Sequence, residues 1–139
     1  MADGEFPAPS EGFVLTHFLV VEDQERSRDF YRDVMGAAVV LERDPAILQF
    51  ANSWLILNEG GGPTDDKPGV TLEPPPREDR TSAFMNIRVA DVQAVYEDWS
   101  AKGATFLTPP IQREAEIRCY IRDPDGHLIE VGQLTANLG

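Results

Sequence analysis

A carboxylate near the C-terminus is the group in this chain most suited to chemistry. Glu130 follows Asp-Pro-Asp-Gly at positions 123–126, a sequence typical of a type I turn. In the strand expected after this turn, Ile129 and Val131 point to one side and Glu130 to the other. Glu is depleted in strands, so Glu130 is expected either to face water or to lie inside a cleft. Inside a cleft, its carboxylate could act as a base or contact a cationic ligand.

The two histidines are the other candidates for catalysis or metal binding. A two-His-one-carboxylate iron site would need His17, His127 and Glu130 to converge. His127 is three residues before Glu130, so the two side chains face opposite sides of a strand. His17 should point away from the cleft unless a β-bulge turns it inward, and is otherwise a structural histidine.

Composition restricts the possible partners and the compartment. The 139 residues carry 24 acidic and 12 basic side chains, a net charge of −12 that opposes binding to nucleic acid and favours neutral or cationic ligands. The single cysteine, Cys119, excludes an internal disulfide and a multi-cysteine zinc cluster. No apolar run approaches the roughly 18 residues of a membrane span, and residues 1–12 do not resemble a signal peptide. We therefore expect a cytoplasmic protein without a membrane partner.

The elements that position these residues occur twice along the chain. An apolar strand at 13–21 precedes a helix capped by Asp23 and ended by Gly36, and strands follow at 38–43, 46–51 and 53–58. The second copy has a strand at 83–89, a helix from Asp91 to Gly103, and strands at 104–107, 116–122 and 127–134. The pattern predicts an α+β fold of two βαβββ modules, each a curved mixed sheet with one outer helix, forming a cleft.

The domain organisation follows from the same pattern. Residues 1–12 are predicted to be a flexible tail, and residues 13–135 a single domain. Within it, module one spans 13–59 and module two 83–135, joined by a Gly- and Pro-rich linker at 60–82. The first strand is apolar on both faces, as expected of a strand buried on both sides. Apolar surface on both sides of the strands also predicts a homodimer.

Three motifs resemble the vicinal oxygen chelate superfamily, which includes glyoxalase I, extradiol dioxygenases, fosfomycin-resistance enzymes and bleomycin-resistance proteins. They are Asp-x-x-Arg-Ser-x-x-Phe-Tyr-x-x-Val-Met-Gly at 23–36, Val-x-Asp-Val at 89–92, and Asp-Pro-Asp-Gly-x-x-Ile-Glu at 123–130. The resemblance implies that metal-using members take ligands from positions occupied here by Thr16, Ile56, Phe84 and Glu130. Only Glu130 is a usual ligand, so no metal is expected. A divalent metal, if bound, would use Glu130 and His17.

The resemblance also implies which residues share the cleft. They are Thr16, Phe18, Ile56, Phe84, Asn86, Leu128 and Glu130. A mostly apolar surface with few polar groups is usual for a small-molecule site. The first hypothesis is therefore a small-molecule binding protein, or a metal-independent enzyme with Glu130 as its catalytic group.

Two other functions remain open at this stage. One is a metal-dependent lyase, isomerase or dioxygenase of the same superfamily, and the other is an interaction domain with an unused cleft. Glu130 itself could also be a structural residue that forms an ion pair with an arginine, such as Arg88 or Arg118, instead of contacting a ligand.

Overall fold

The computed structural model describes residues 5–136, which form two copies of one arrangement of strands and a helix. Module one contains β1 (His17–Val20), α1 (Gln24–Asp33), β2 (Ala38–Leu41), β3 (Ala46–Phe50) and β4 (Ser53–Asn58). Module two contains β5 (Met85–Arg88), α2 (Val92–Ala101), β6 (Ile111–Gln112), β7 (Glu116–Arg122) and β8 (Leu128–Leu134). The chain divides into two compact units between Pro76 and Arg77.

Each module has one mixed sheet of four strands. The strand orders are β1-β4-β3-β2 and β5-β8-β7-β6. The first strand of each module runs parallel to the last, and all other neighbours are antiparallel. The α+β class with two βαβββ modules is confirmed.

The two helices begin and end where the sequence predicts. Asp23 accepts a hydrogen bond from the Arg26 amide at 3.1 Å, and Asp91 accepts one from the Ala94 amide at 3.0 Å. These caps satisfy amides that have no partner inside the helix. Gly36 at φ +81° and Gly103 at φ +106° follow the helix ends in a left-handed conformation that suits glycine.

Alternate strand residues build the core of each module. In module two, α2 buries Val92 and Trp99 and contacts β7 and β8. Cys119 and Val131, which are paired across β7 and β8, are 1% and 0% exposed. Burial raises the pKa of the Cys119 thiol to about 11, which keeps the thiol protonated at physiological pH.

Two sequence predictions about strands are wrong. The strand predicted at 13–21 begins only at His17, and its residues are not buried on both sides, since Phe13 is 102% and Phe18 49% exposed. β1 lies at the edge of its sheet and pairs only with β4. The predicted strand at 104–107 is reduced to one bridge between Phe106 and Ile121. Two prolines at 109–110 cannot donate to a ladder, and the edge strand β6 starts after them.

The segment predicted as a linker is partly ordered by its own hydrogen bonds. Gly61 and Leu72 exchange backbone hydrogen bonds of 2.9 and 2.8 Å. A Cβ atom on Gly60 would lie 2.0 Å from the Leu72 carbonyl oxygen, so this approach of two backbones requires glycine. Among the described residues, neither helix is long and apolar enough to cross a membrane.

Candidate functional site

The Asp-Pro-Asp-Gly turn fixes the register of the last two strands. The Gly126 amide donates to the Asp123 carbonyl at 3.0 Å, and the Asp123 carboxylate accepts from the amides of Asp125 and His127, both at 2.9 Å. Gly126 has φ +92°, outside the range that a side chain readily allows. The predicted tight turn is confirmed, and it places Tyr120 of β7 directly opposite Glu130 of β8.

Glu130 lies between two polar residues on neighbouring strands. Asn86 on β5 and Tyr120 on β7 are its partners in the sheet register. One carboxylate oxygen accepts a hydrogen bond from the Asn86 amide, and the other accepts one of 2.5 Å from the Tyr120 hydroxyl. We call the side of the sheet that carries these three residues the polar face. The Glu130 side chain is only 7% exposed, so the carboxylate is buried but satisfied.

The hydrogen bond to Glu130 changes the acidity of the tyrosine. The pKa of Tyr120 is raised, chiefly because its hydroxyl donates to the carboxylate and further because of burial. Both effects favour the protonated phenol. Tyr120 therefore remains a neutral donor at physiological pH and anchors Glu130.

An ion-pair network lies beside this triad on the polar face. Arg88 donates to Glu116 at 2.8 Å across β8, and Arg118 contacts the other oxygen of Glu116 at 3.3 Å. A Cβ atom on Gly132 would lie 2.4 Å from the Arg88 Nη1, so glycine is what allows the guanidinium to cross the strand. The hydrogen bond from Arg88, with a smaller contribution from Arg118, lowers the pKa of Glu116. Arg88 also lies 3.8 Å from Glu130.

Apolar side chains and two depressions adjoin the triad in module two. The Phe84 ring meets Tyr120 edge-to-face with a centroid distance of 6.2 Å. A larger depression of about 310 Å³ is lined by Glu78, Asp79, Arg80, Thr81, Leu107, Tyr120, Arg122 and Leu128. A second one of about 200 Å³, which we call the arginine depression, is lined by Leu107, Thr108, Ile111, Arg113, Arg118 and Tyr120. Tyr120 and Leu107 form the wall that both depressions share.

Four of the predicted site residues come together in module two. Asn86 and Glu130 are hydrogen-bonded, Phe84 packs on Tyr120, and Leu128 lines the larger depression. The other three lie in module one. Phe18 and Ile56 are paired in the β1–β4 register, and Thr16 immediately precedes β1.

The strand register does not place His17 on the side of its own sheet that corresponds to the polar face of module two, and His127 lies outside the strands. His17 alternates with Phe18 and lies on the side of β1 that carries the buried Leu19. The β1–β4 register runs from His17 to Val20 without a bulge, so nothing turns His17 to the other side. His127 belongs to the turn, where its amide donates to Asp123.

Sequence reasoning missed the most central residue, Tyr120. The turn chemistry contained the necessary signal, because pairing Arg122 with Leu128 across the turn extends to Tyr120 opposite Glu130. Of the two arginines predicted as alternative partners of Glu130, Arg88 forms ion pairs with both Glu116 and Glu130, at 2.8 and 3.8 Å, whereas Arg118 pairs with Glu116.

The donor set does not fit a metal. Of the four positions that the superfamily resemblance suggested, Ile56 and Phe84 have no donor atom and Thr16 has only a hydroxyl. Both oxygens of the fourth, Glu130, accept hydrogen bonds within the sheet. Across residues 5–136, no group of three or more His, Cys, Asp or Glu side chains is placed to hold a metal ion.

This chain is similar in sequence to proteins of one family. The family model of the Glyoxalase/Bleomycin resistance protein/Dioxygenase superfamily matches residues 14–131. A protein named metallothiol transferase FosB, from Shouchella clausii (strain KSM-K16), is 31% identical over 115 residues, which cover 80% of this chain and 73% of the relative.

Solved structures agree on the fold. TnmS3, described as an antibiotic binding protein from Streptomyces sp. CB03234, has a TM-score of 0.62 at 21% identity and covers 91% of this chain and 98% of its own. A glyoxalase/bleomycin resistance protein/dioxygenase from Nocardioides has a TM-score of 0.70 at 20% identity, with coverages of 95% and 93%. The match to the family model extends over most of the chain, from β1 into β8. This chain belongs to the Glyoxalase/Bleomycin resistance protein/Dioxygenase superfamily.

Proposed function

We propose that this chain is a small-molecule binding protein whose ligand lies against the polar face of module two. The observation that carries the proposal is the arrangement of Glu130, Tyr120 and Asn86, a buried and satisfied carboxylate that fixes two partly exposed polar side chains. Such preorganised groups beside an apolar surface are typical of ligand sites, because little ordering remains to be done on binding.

The neighbouring side chains support an apolar or aromatic ligand body. Phe84 is 43% and Leu107 51% exposed, on either side of Tyr120. The Tyr120 hydroxyl uses its proton on Glu130, so its oxygen can still accept a hydrogen bond from a ligand hydroxyl or amine. Glu130 then contributes chiefly by holding Tyr120 and Asn86. TnmS3, which has the same fold, is described as an antibiotic binding protein, and this is consistent with such a function.

The proposal is tested with a neutral aromatic probe, 2-naphthamide, titrated by calorimetry into the full-length protein. Leu107→Ala should weaken binding about fivefold, since it removes part of the apolar wall. Leu134→Ala is the matched control, because Leu134 is equally exposed at 51% and contacts neither depression. Absence of binding, or equal binding by the two variants, would overturn the proposal.

A metal-dependent enzyme is the second candidate, favoured by the 31% identity to a protein named metallothiol transferase. The residues at the suggested ligand positions do not support it, since catalytic metal sites usually take three protein ligands and only Glu130 of the four positions is a usual ligand. Elemental analysis of untagged protein, purified without chelator, separates the two. We expect well below one equivalent of any transition metal. About one equivalent, lost in Glu130→Gln, would make the enzyme the better conclusion.

We also propose that the chain forms a homodimer through module one. Phe13, Leu15 and Phe18 are 102%, 87% and 49% exposed on and before β1, a strand at the edge of its sheet. Light scattering at micromolar concentration should give twice the chain mass of 15.4 kDa. A monomer mass would contradict this assembly.

A further inference from the structure

Resting on the proposed function, we infer that the ligand of module two carries a negatively charged group, such as a carboxylate, that is bound in the arginine depression. Its apolar body would contact Leu107 and Tyr120, and its anionic group would meet Arg113 and Arg118. Net charge alone favours the opposite sign of ligand, because the chain carries −12.

The lining of the arginine depression contains two guanidinium groups and no carboxylate. Its six residues are Leu107, Thr108, Ile111, Arg113, Arg118 and Tyr120. The larger depression, in contrast, is balanced, with Glu78 and Asp79 beside Arg80 and Arg122. The positive charge is therefore localised at one end of the polar face.

The arginines of this region are not fully neutralised by their neighbours. Glu116 pairs with Arg88 and Arg118 at 2.8 and 3.3 Å, and Arg88 also lies 3.8 Å from Glu130. These two guanidinium groups therefore face two carboxylates, and Arg113 adds a third guanidinium group. The side chain of Arg113 has no hydrogen bond or ion pair with any residue between 5 and 136. Glu114 follows it in sequence but does not line the depression.

The remaining carboxylate of the polar face, Glu130, does not line the arginine depression. Its side chain is 7% exposed, and both oxygens accept hydrogen bonds from Asn86 and Tyr120. Arg88 lies 3.8 Å from the Glu130 carboxylate and provides its counter-charge. A ligand carboxylate in the depression would therefore meet the guanidinium groups of Arg113 and Arg118, which form charge-assisted hydrogen bonds with carboxylates.

Local charge outweighs net charge at this distance. Charges on the far parts of the surface are screened beyond roughly 10 Å at 0.1 M salt, whereas a contact in the depression is not. The acidic residues are also unevenly distributed, with 14 acidic and 5 basic side chains in residues 1–76, against 10 and 7 in residues 77–139. The anion site lies in the less acidic half.

Three probes with one aromatic body test this inference in the full-length protein. They are 2-naphthoate, 2-naphthamide and 2-naphthylmethylammonium, titrated by calorimetry at 100 mM and 500 mM NaCl. We expect 2-naphthoate to bind about tenfold more tightly than the amide at low salt, and the ammonium probe most weakly. The preference for the carboxylate should shrink at high salt.

Arginine substitutions locate the anion. Arg118→Gln and Arg113→Gln should each reduce the preference for 2-naphthoate over 2-naphthamide at least threefold. Arg80→Gln is the matched control, an exposed arginine without a side-chain partner among residues 5–136 that lines only the larger depression. Because Arg113 makes no ion pair with residues 5–136, its variant tests the site even if Arg118→Gln disturbs Glu116.

The outcomes separate the inference from the function on which it rests. If naphthamide binds and naphthoate binds no more tightly, the anion site is wrong and the binding function stands. If the preference survives in both arginine variants, or falls equally in Arg80→Gln, the assignment to this depression is wrong. If none of the three probes binds, both proposals fail.

Discussion

The two modules have the same strand order but opposite chemistry at equivalent positions. In module two, Glu130 is paired with Asn86 on one side and Tyr120 on the other. In module one, the same register places Ile56 between Phe18 and Ile47. Phe18 and Asn86 each lie five residues before the aspartate that caps the helix, which establishes the equivalence. One backbone thus supports an apolar trio in one copy and a hydrogen-bonded trio in the other, so strand geometry alone does not specify a site.

The modules also differ in how they satisfy buried polar groups near their helix starts. In module one, the buried Gln24 accepts from the Asp44 amide at 2.8 Å and donates to Asn58 and Glu59 at 3.0 and 2.5 Å. In module two, the corresponding first residue of the helix is Val92, whose amide donates to Gln133 at 2.9 Å. Module one therefore has its buried polar side-chain contacts at the N-terminus of its helix, whereas module two has them in the centre of its sheet.

Exchanging the central residues of the two trios, Ile56 and Glu130, should reduce stability most in module one. Ile56→Glu would put a carboxylate between Phe18 and Ile47, where the sheet register offers it no donor. We expect a loss of about 3 kcal/mol in the free energy of unfolding, measured by urea titration at pH 7. A loss below about 1 kcal/mol would show that module one tolerates a charge there and that the two sites are less different than their residues suggest.

The reverse exchange should cost less in module two, because Asn86 and Tyr120 can turn toward water. We expect Glu130→Ile to lower the free energy of unfolding by about 2 kcal/mol and Tyr120→Phe by about 1 kcal/mol. The double variant should be less destabilised than the sum by about 1 kcal/mol, since no buried partner is then left unsatisfied. Strict additivity would mean that the hydrogen bond between the two side chains contributes nothing to folding.

Substitutions in the hairpin turn before the last strand of each module should change stability less, and in opposite directions. Gly126 has φ +92° in module two, whereas the shorter turn of module one places Ala51 at φ +52°. Gly126→Ala should destabilise by about 1 kcal/mol, and Ala51→Gly should stabilise by about 0.5 kcal/mol, because L-residues are strained at positive φ. Thermal melting of both variants checks this, and shifts in the same direction would contradict it.

The pH response of module two should depend on two groups whose pKa values move in opposite directions. The raised pKa of Tyr120 gives stability that is present below pH 10 and lost as pH rises through the folded value. The lowered pKa of Glu116 gives stability present above pH 4.5 and lost as pH falls through its folded value. Arg88→Met should flatten only the acidic side, and Tyr120→Phe only the alkaline side. Melting temperatures measured between pH 3 and 11 check this. A flatter alkaline side in Arg88→Met, or a flatter acidic side in Tyr120→Phe, would contradict the assignment.

Much of the fold follows from local chemistry in the sequence. Asp23 and Asp91 cap helices, glycines end them, and the Asp-Pro-Asp-Gly turn joins β7 to β8, because each feature depends on residues close in the chain. The extent of β1 was not predictable from composition, since an apolar segment has the same sequence whether it pairs at an edge or is covered on both sides.

The candidate site was predictable only in part for a similar reason. Glu130 is conspicuous because its residue type is unusual in a strand, and Asn86 follows from the shared register. Tyr120 looks like ordinary core until the register of the β7–β8 hairpin is known. The crossing of Arg88 over Gly132 involves three strands, and no local pattern encodes it.

The most direct test of the central claim is to map where a probe binds. Backbone amide NMR spectra of the full-length protein, titrated with 2-naphthamide, report each module separately. We expect shifts concentrated around Phe84, Leu107 and Tyr120, with the amides of β1 and β4 unchanged. Shifts concentrated at Phe18 and Ile56 would contradict the claim and assign the ligand to module one.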